Sequence, residues 1–213
     1  MIEVKGLNDE EQLLDELKSN NFYETDRSPV YRKRVAKECR NAINQLRDTS
    51  VEYENHLWVI TLIAKSKYDP SFMAEQILGT LYKVGEITDT TISTNTRKRR
   101  CLYFHESVFH KFPELDGAIV VSPAGVALHS NDFGRRPHRL RQSRLANFFV
   151  KHSSYYDKHS METSCDCFVA DFDMDRRNII EVANQLNRKY SDRRLQFMEW
   201  HRYEGIGVVF PPP

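Results

Sequence analysis

The chain has 213 residues, 40% of them hydrophobic and 11% aromatic, with four Cys and a formal net charge of +1. This composition can fill a real core and excludes a disordered chain, while no run approaches the roughly 18 apolar residues of a membrane span. Four Cys, two of them in Cys165-Asp166-Cys167, make no disulfide framework and no zinc-like set of two pairs, so the expectation is a cytoplasmic protein with no membrane partner.

Residues 1–26 carry eight acids and two bases, and Asn8 is placed to cap a short acidic helix ending near Asn20. The sign then reverses: residues 27–47 carry seven bases and one acid, and Ser28-Pro29 opens a basic helix over 31–47, since Pro is tolerated in a first turn. The continuous apolar run 57–63 reads as a central strand buried on both faces. Asp69-Pro70 begins a helix to residue 84 whose Phe72, Met73, Ile77, Leu81 and Val84 fall on one stripe. Residues 86–97, rich in Thr and Asn, predict an exposed hairpin or loop. The run Arg97-Lys98-Arg99-Arg100 then feeds a strand ending at Glu106. Residues 116–122 and 126–129 read as strands joined at Pro123-Ala124-Gly125, and 131–137 as a linker. From residue 133 to 156 there are six Lys or Arg and no acid, and 139–156 reads as a second basic helix. A strand over 167–172, a helix over 176–190 and strands over 193–199 and 204–210 follow, closed by Pro211-Pro212-Pro213, which cannot pair in a sheet. Alternation puts Cys165 and Cys167 on one strand face as small core residues.

The order helix, strand, helix, strand, strand thus occurs twice, offset by about 109 residues, and self-similarity of this kind governs the whole fold. The expected fold class is α+β, with internally duplicated α-β-α-β-β units and antiparallel, ferredoxin-like or RNA-recognition-like sheets. The expected organisation is an acidic segment 1–26, a first repeat 27–130 and a second repeat 131–213.

Duplication would display two basic helices at related places. Arg32, Lys33, Arg34 and Arg40 lie on one, and Arg135, Arg136, Arg139, Arg141 and Arg144 on or beside the other, with Arg97, Lys98, Arg99 and Arg100 between them. Each phosphate neutralised by such residues releases counterions and adds salt-sensitive affinity, so DNA is the expected partner. A pseudo-twofold pair would suit a quasi-palindromic site. Tyr31, Phe148, Phe149, Tyr155, Tyr156, Trp200 and Tyr203 interleave with the bases and could stack on nucleobases, although one of Phe148 and Phe149 must be core. Solvated helix faces are the plain alternative. The acidic stretch 9–16 beside basic helices fits a protein-interaction or assembly component instead.

Two patterns point to chemistry. Asp171 and Asp173 share a face at the end of a strand, the arrangement that holds two divalent ions, and Phe168-Val169-Ala170-Asp171-Phe172-Asp173 resembles the hydrophobic-Asp-x-Asp signature of archaeo-eukaryotic primases. That resemblance implies a Mg2+- or Mn2+-dependent nuclease or nucleotidyltransferase. The matched positions of the first copy are Leu62 and Ala64, and capping of a helix by Asp173 with Asp171 meeting an Arg such as Arg176 is the structural alternative. Separately, Ser153-Ser154-Tyr155-Tyr156-Asp157-Lys158-His159-Ser160, the strand to Asp173 and residues 193–199 resemble inovirus-type rolling-circle replication initiators over about seventy residues. The resemblance implies Tyr155 or Tyr156 as nucleophile beside a His-held divalent ion. Gly205-Ile206-Gly207-Val208-Val209 stands where that family has His-x-His, leaving His105, Glu106, His110 and His129 as the other ligand candidates. It therefore implies a phage or mobile-element protein, replication-initiator-like or regulatory, that binds DNA more than it cuts it and needs no cofactor. Asp116-Gly117-Ala118 is similar to the Asp-Gly-Ala signature of diadenylate cyclases. Glu204-Gly205 repeats the acid and Gly, which favours a turn.

Overall fold

The computed structural model describes residues 2–7, 28–49, 55–65, 70–89, 97–103, 105, 107–163, 167–171, 179–191 and 195–199. The expected cap at Asn8, Glu106, Cys165, Asp173, Arg176, Trp200, Tyr203 and the strand over 204–210 lie outside these residues. Among the described residues, no helix is long and apolar enough to cross a membrane.

The chain is a mixed α/β protein with two sheets. In chain order strand β1 (Ile2–Leu7) is followed among the described residues by helix α1 (Ser28–Thr49) and strand β2 (Val59–Ala64). Helix α2 (Pro70–Tyr82) follows, then the antiparallel pair β3 (Val84–Asp89) and β4 (Arg97–Tyr103), the short helix α3 (Val108–Lys111) and the hairpin β5 (Gly117–Ser122) and β6 (Gly125–Ser130). Helices α4 (Pro137–Arg141) and α5 (Arg144–His152), strand β7 (Ser154–Tyr156), helix α6 (Lys158–Thr163), strand β8 (Phe168–Ala170), helix α7 (Ile179–Lys189) and strand β9 (Leu195–Glu199) complete it.

The first sheet has the order β1-β2-β5-β6-β7, with β2 parallel to both β1 and β5. This central place explains why Val-Ile-Thr-Leu-Ile-Ala has no polar alternation: both of its faces are covered. Ile60, Leu62, Ala118 and Val120 point to one side. They join Val35, Cys39, Ile43 and Leu46 of α1, Met73, Ile77 and Leu81 of α2, and Leu102 and Val169 of the second sheet in one cluster. Val59, Ile119 and Leu128 point to the other side, where Leu140, Ala146 and Phe149 of α4 and α5 cover them. Each of the larger apolar side chains so buried contributes about 1.5–3 kcal/mol. The second sheet, ordered β8-β4-β3-β9, therefore faces the first across the larger cluster.

Most expected elements are present within a few residues. The central strand, the helix after Asp69-Pro70 and the hairpin at Pro123-Ala124 all form, with Gly125 at φ +130, where a Cβ would be strained. Residues 86–97 do bridge a hairpin, whose strands extend inward as β3 and β4 from a connection at 90–96 outside the described residues. Strand β1, with its period-two apolar pattern Ile2, Val4, lies within the acidic segment 1–26, ahead of the helix expected from Asn8, and is not among the expected elements.

The expected duplication is not borne out by the pairing. The stretch 139–156, read as one helix to match α1, divides into parts of α4, α5 and β7. Its break has a local cause: the Ser143 hydroxyl accepts from the Ala146 N–H at 3.1 Å and so starts a new helix, while donating to the Leu140 carbonyl that ends the old one. The Tyr-rich end then pairs as a strand beside β6. The matched strands β2 and β8 sit in different sheets, one central and one at an edge, and both sheets contain parallel as well as antiparallel pairs. Pairing of β7 with β6 and of β8 with β4 also crosses the boundary expected at residue 130.

Candidate nucleic-acid interface and inter-sheet cleft

The outer face of α1 carries Lys33, Lys37 and Arg40 at i, i+4 and i+7, all exposed. Arg32 turns the other way: its Nε donates to Gln76 Oε1 at 3.0 Å, and its guanidinium lies so close over Gly79 that a Cβ there would stand 2.8 Å from Nη2. Arg34 is half-buried. Arg97, Lys98, Arg99 and Arg100 form the first part of β4, paired with β3. Arg100 meets Glu75 at 3.4 Å with both side chains more than half exposed, a pair that contributes little.

Around α4 the bases separate into two kinds. Arg136 is committed inward, donating to the buried Asp116 carboxylate at 3.0 Å and to the His56 carbonyl at 3.2 Å. Trp58 N–H also donates to Asp116, at 2.7 Å. Burial still outweighs these partners and lifts the Asp116 carboxyl above its ordinary value. Asp116 thus ties β5 to the start of β2. Arg141 reaches Asp132 at 2.8 Å and Asp157 at 3.8 Å, and Arg139 is half-buried. Arg135 and Arg144 are exposed.

Helix α5 presents an unusual outer surface. Phe149 is core, as one of the Phe pair had to be, but Phe148 is 56% exposed and Val150 64%. Arg144, Asn147 and Lys151 are exposed around them, and the His152 ring lies 5.0 Å from that of Phe148.

The residues expected to carry metal chemistry are dispersed. Asp171, just after β8, is held by the ammonium groups of Lys158 and Lys189, the latter at 3.1 Å. Burial raises its carboxyl, but the two lysines outweigh that and hold it below the usual carboxylate range. Among the described residues its partners are thus lysines, and Arg176, the partner expected from the sequence, lies outside them. Lys189 also pairs with Glu162, which accepts from the Tyr190 hydroxyl at 2.7 Å, so charge in this cluster is balanced by the protein itself. The Tyr155 hydroxyl is buried beside the Ser130 side chain, and burial outweighs that contact and pushes its acidity down. A buried phenol is poorly placed to attack a phosphodiester. His105 and His110 come together, with ring centroids 4.9 Å apart, whereas His129 is buried elsewhere on β6. No group of three His, Cys, Asp or Glu able to hold a metal ion occurs among the described residues.

His129 belongs to a second constellation. Its Nδ1 is 3.0 Å from the Tyr82 hydroxyl, its ring stacks on Tyr156 at 5.1 Å, and Tyr82 packs edge-on against Phe109. Burial drives the imidazole down to about 3, so it is neutral at physiological pH. With the phenol donating, Nδ1 accepts and the ring proton sits on Nε2. His129 and Tyr156 line a cleft of about 280 Å³ between the inner faces of the two sheets. Leu78, Leu102, Val120 and Met161 supply apolar walls, and Arg100 lies at its border.

Lys37, Lys151 and the Tyr82–His129 pair escape a reading from sequence. Helical spacing from Lys33 signals the first, but nothing in the chain signals a contact between residues 82 and 129. Comparison with known protein families, with curated proteins and with solved structures finds no match for this chain.

Proposed function

We propose that the protein binds single-stranded nucleic acid, DNA in the first instance, through the α5 surface, with the exposed Arg135 before α4 as a further cation, and without cutting it. The observation that carries this reading is Phe148, 56% exposed in a segment free of acids and bordered by exposed Arg144 and Lys151. Leaving a Phe in water forfeits its burial energy, and an aromatic ring among cations is the composition that stacks bases while neutralising phosphates. Under the resemblance to replication initiators, the role would be origin or site recognition, or regulation, in a phage or mobile element.

Fluorescence anisotropy with a labelled single-stranded DNA oligonucleotide across a salt series tests it. Phe148→Ala should weaken binding by about 1–3 kcal/mol. Arg144→Ala and Lys151→Ala should each reduce the slope of log K against log salt by about 0.7. Unchanged affinity and slope in the triple variant would remove the proposal.

A protein partner is the second reading, favoured by exposed Val150 and by Val126, 39% exposed on β6; elution in gel filtration that shifts with Phe148→Ala but not with salt would select it. The metal-dependent alternative draws no support from Asp171, whose carboxylate is engaged by two lysines. A melting temperature raised by Mg2+ or Mn2+ in the wild type and not in Asp171→Asn would restore it.

A further inference from the structure

The geometry points to a binding site for a small planar organic anion, an aromatic or heteroaromatic carboxylate, in the cleft between the two sheets. The site is separate from the α5 surface, which packs on the opposite face of the first sheet.

Its construction follows from strand register. Ala118, Val120 and Ser122 of β5 stand opposite His129, Ala127 and Gly125 of β6, and Ala127 and His129 in turn stand opposite Ser154 and Tyr156 of β7. Residues directly opposite one another share a face, so these side chains make one wall. Arg100 and Leu102, two apart on β4, share a face of the second sheet and make the other wall, and α2 closes the side with Ala74, Leu78 and Tyr82. The cleft reaches the carboxyl end of β5 through Ser122 and the hairpin turn, and carboxyl ends of parallel strands are where open α/β sheets take ligands.

Three features select the ligand. Opposed sheet faces carrying Leu102 against Val120 and the Tyr156 ring accept a flat apolar body, and the thioether of Met161, from α6, adapts to an aromatic edge. His129, neutral and bonded through Nδ1 to Tyr82, places a polar ring among those walls. Among the described lining residues Arg100 is the one cation, and its partner Glu75 is a loose contact at 3.4 Å that a ligand can replace. One guanidinium matches a carboxylate through two parallel hydrogen bonds. Phosphate sites instead gather several donors from backbone nests or helix N-termini, so a carboxylate fits better than a nucleotide. A purely apolar cavity would stay dry and favour an uncharged hydrocarbon, but this one has His129, Ser122 and Ser154 on its wall.

Titration calorimetry of the full chain with 2-naphthoate, 2-naphthamide and 2-naphthyl phosphate tests the assignment, with the His129 ring resonances followed by NMR to locate the ligand. Saturable binding of 2-naphthoate with a ring-current shift at His129 is expected, with the amide and the phosphate ester weaker. Arg100→Met, an exposed position whose loss leaves the fold intact, should weaken 2-naphthoate about tenfold or more and leave the amide unchanged, since a hydrogen bond between charged groups is lost. No saturable binding of 2-naphthoate, binding without a shift at His129, tighter binding of the phosphate ester, or equal affinity in Arg100→Met would each overturn the assignment.

Discussion

His129 makes stability depend on pH in a way that can be worked from its surroundings. The side chain is 3% exposed, and burial takes its pKa from 6.5 to about 3, with Tyr82 and Tyr156 as its ring neighbours. In the unfolded chain the same imidazole titrates near its ordinary value of about 6.5. Between those two values the unfolded state binds a proton that the native state does not. The contribution of this group is therefore complete above pH 6.5 and is lost as pH falls, at about 1.36 kcal/mol per unit. Going from near pH 7.5 to near pH 5 should thus cost about 2 kcal/mol through this residue alone. Urea denaturation of the wild type and of His129→Gln at both pH values isolates it, because every other titrating group is common to the two proteins. Gln has no charge to gain and keeps a polar group within reach of Tyr82. The variant should be less stable at the higher pH, and the wild type should lose about 2 kcal/mol more than the variant on acidification. Equal losses would refute the reasoning and would mean that His129 is solvated well enough to accept a proton in the folded protein.

The two classes of arginine around α4 should separate by urea denaturation. Arg141→Ala leaves Asp132, whose side chain is 4% exposed, without its guanidinium, and should cost about 1–3 kcal/mol. Arg144→Ala, on an exposed position, should stay within about 0.5 kcal/mol of wild type, and similar losses for both would contradict the division. Gly117→Ala would put a Cβ 2.6 Å from the His129 carbonyl oxygen and 2.6 Å from Leu140 Cδ2. Backbone cannot yield as a side chain does, so a loss of about 1–3 kcal/mol is expected in thermal denaturation, and a neutral result would mean that β5 and β6 separate readily there. Lys83 ends α2 with φ 50, its N–H bonded to the Gly79 carbonyl at 3.1 Å. Lys83→Gly relieves the left-handed conformation and should stabilise by about 0.5–1 kcal/mol, and a loss in the same denaturation experiment would show that the lysine side chain outweighs the strain.

Legibility in the sequence follows how local each determinant is. The central strand was readable because a strand covered on both faces must be apolar throughout, and the stripe of α2 because one-sided burial imposes a helical period. Pro123-Ala124-Gly125 announced its turn through a glycine that the backbone in fact requires at φ +130. The stretch 139–156 lacks acids but also lacks a helical period, and only the period specifies one continuous helix. Leu140, Ala146 and Phe149 are the buried positions there, at separations of six and three that a single helix stripe does not produce. Sheet membership was harder still. Strands β2 and β8 look alike as short apolar runs, and only long-range pairing puts one in the interior of the first sheet and the other at the edge of the second. Both Tyr82–His129 and Lys158–Asp171 join elements that meet only when the chain is packed, so neither contact leaves a motif.

The placement of the basic surfaces changes what they can do together. Helix α1 packs on the face of the first sheet that carries Ile60 and Leu62, and α5 on the face that carries Val59 and Ile119, so Lys33, Lys37 and Arg40 point away from the molecule on one side and Arg144 and Lys151 on the other. A sheet with a helix layer on each side is about 20 Å through from helix to helix, since each packed layer adds roughly 10 Å. Paired recognition helices of a twofold reader instead present the same side to successive turns of one duplex. The arrangement here suits a flexible strand held on one surface, or two different partners held on opposite surfaces, far better than a quasi-palindromic clamp. Phe148 distinguishes the two sides: an exposed aromatic accompanies the cations of α5, while the α1 stripe carries charge alone and would attract a polyanion without stacking its bases.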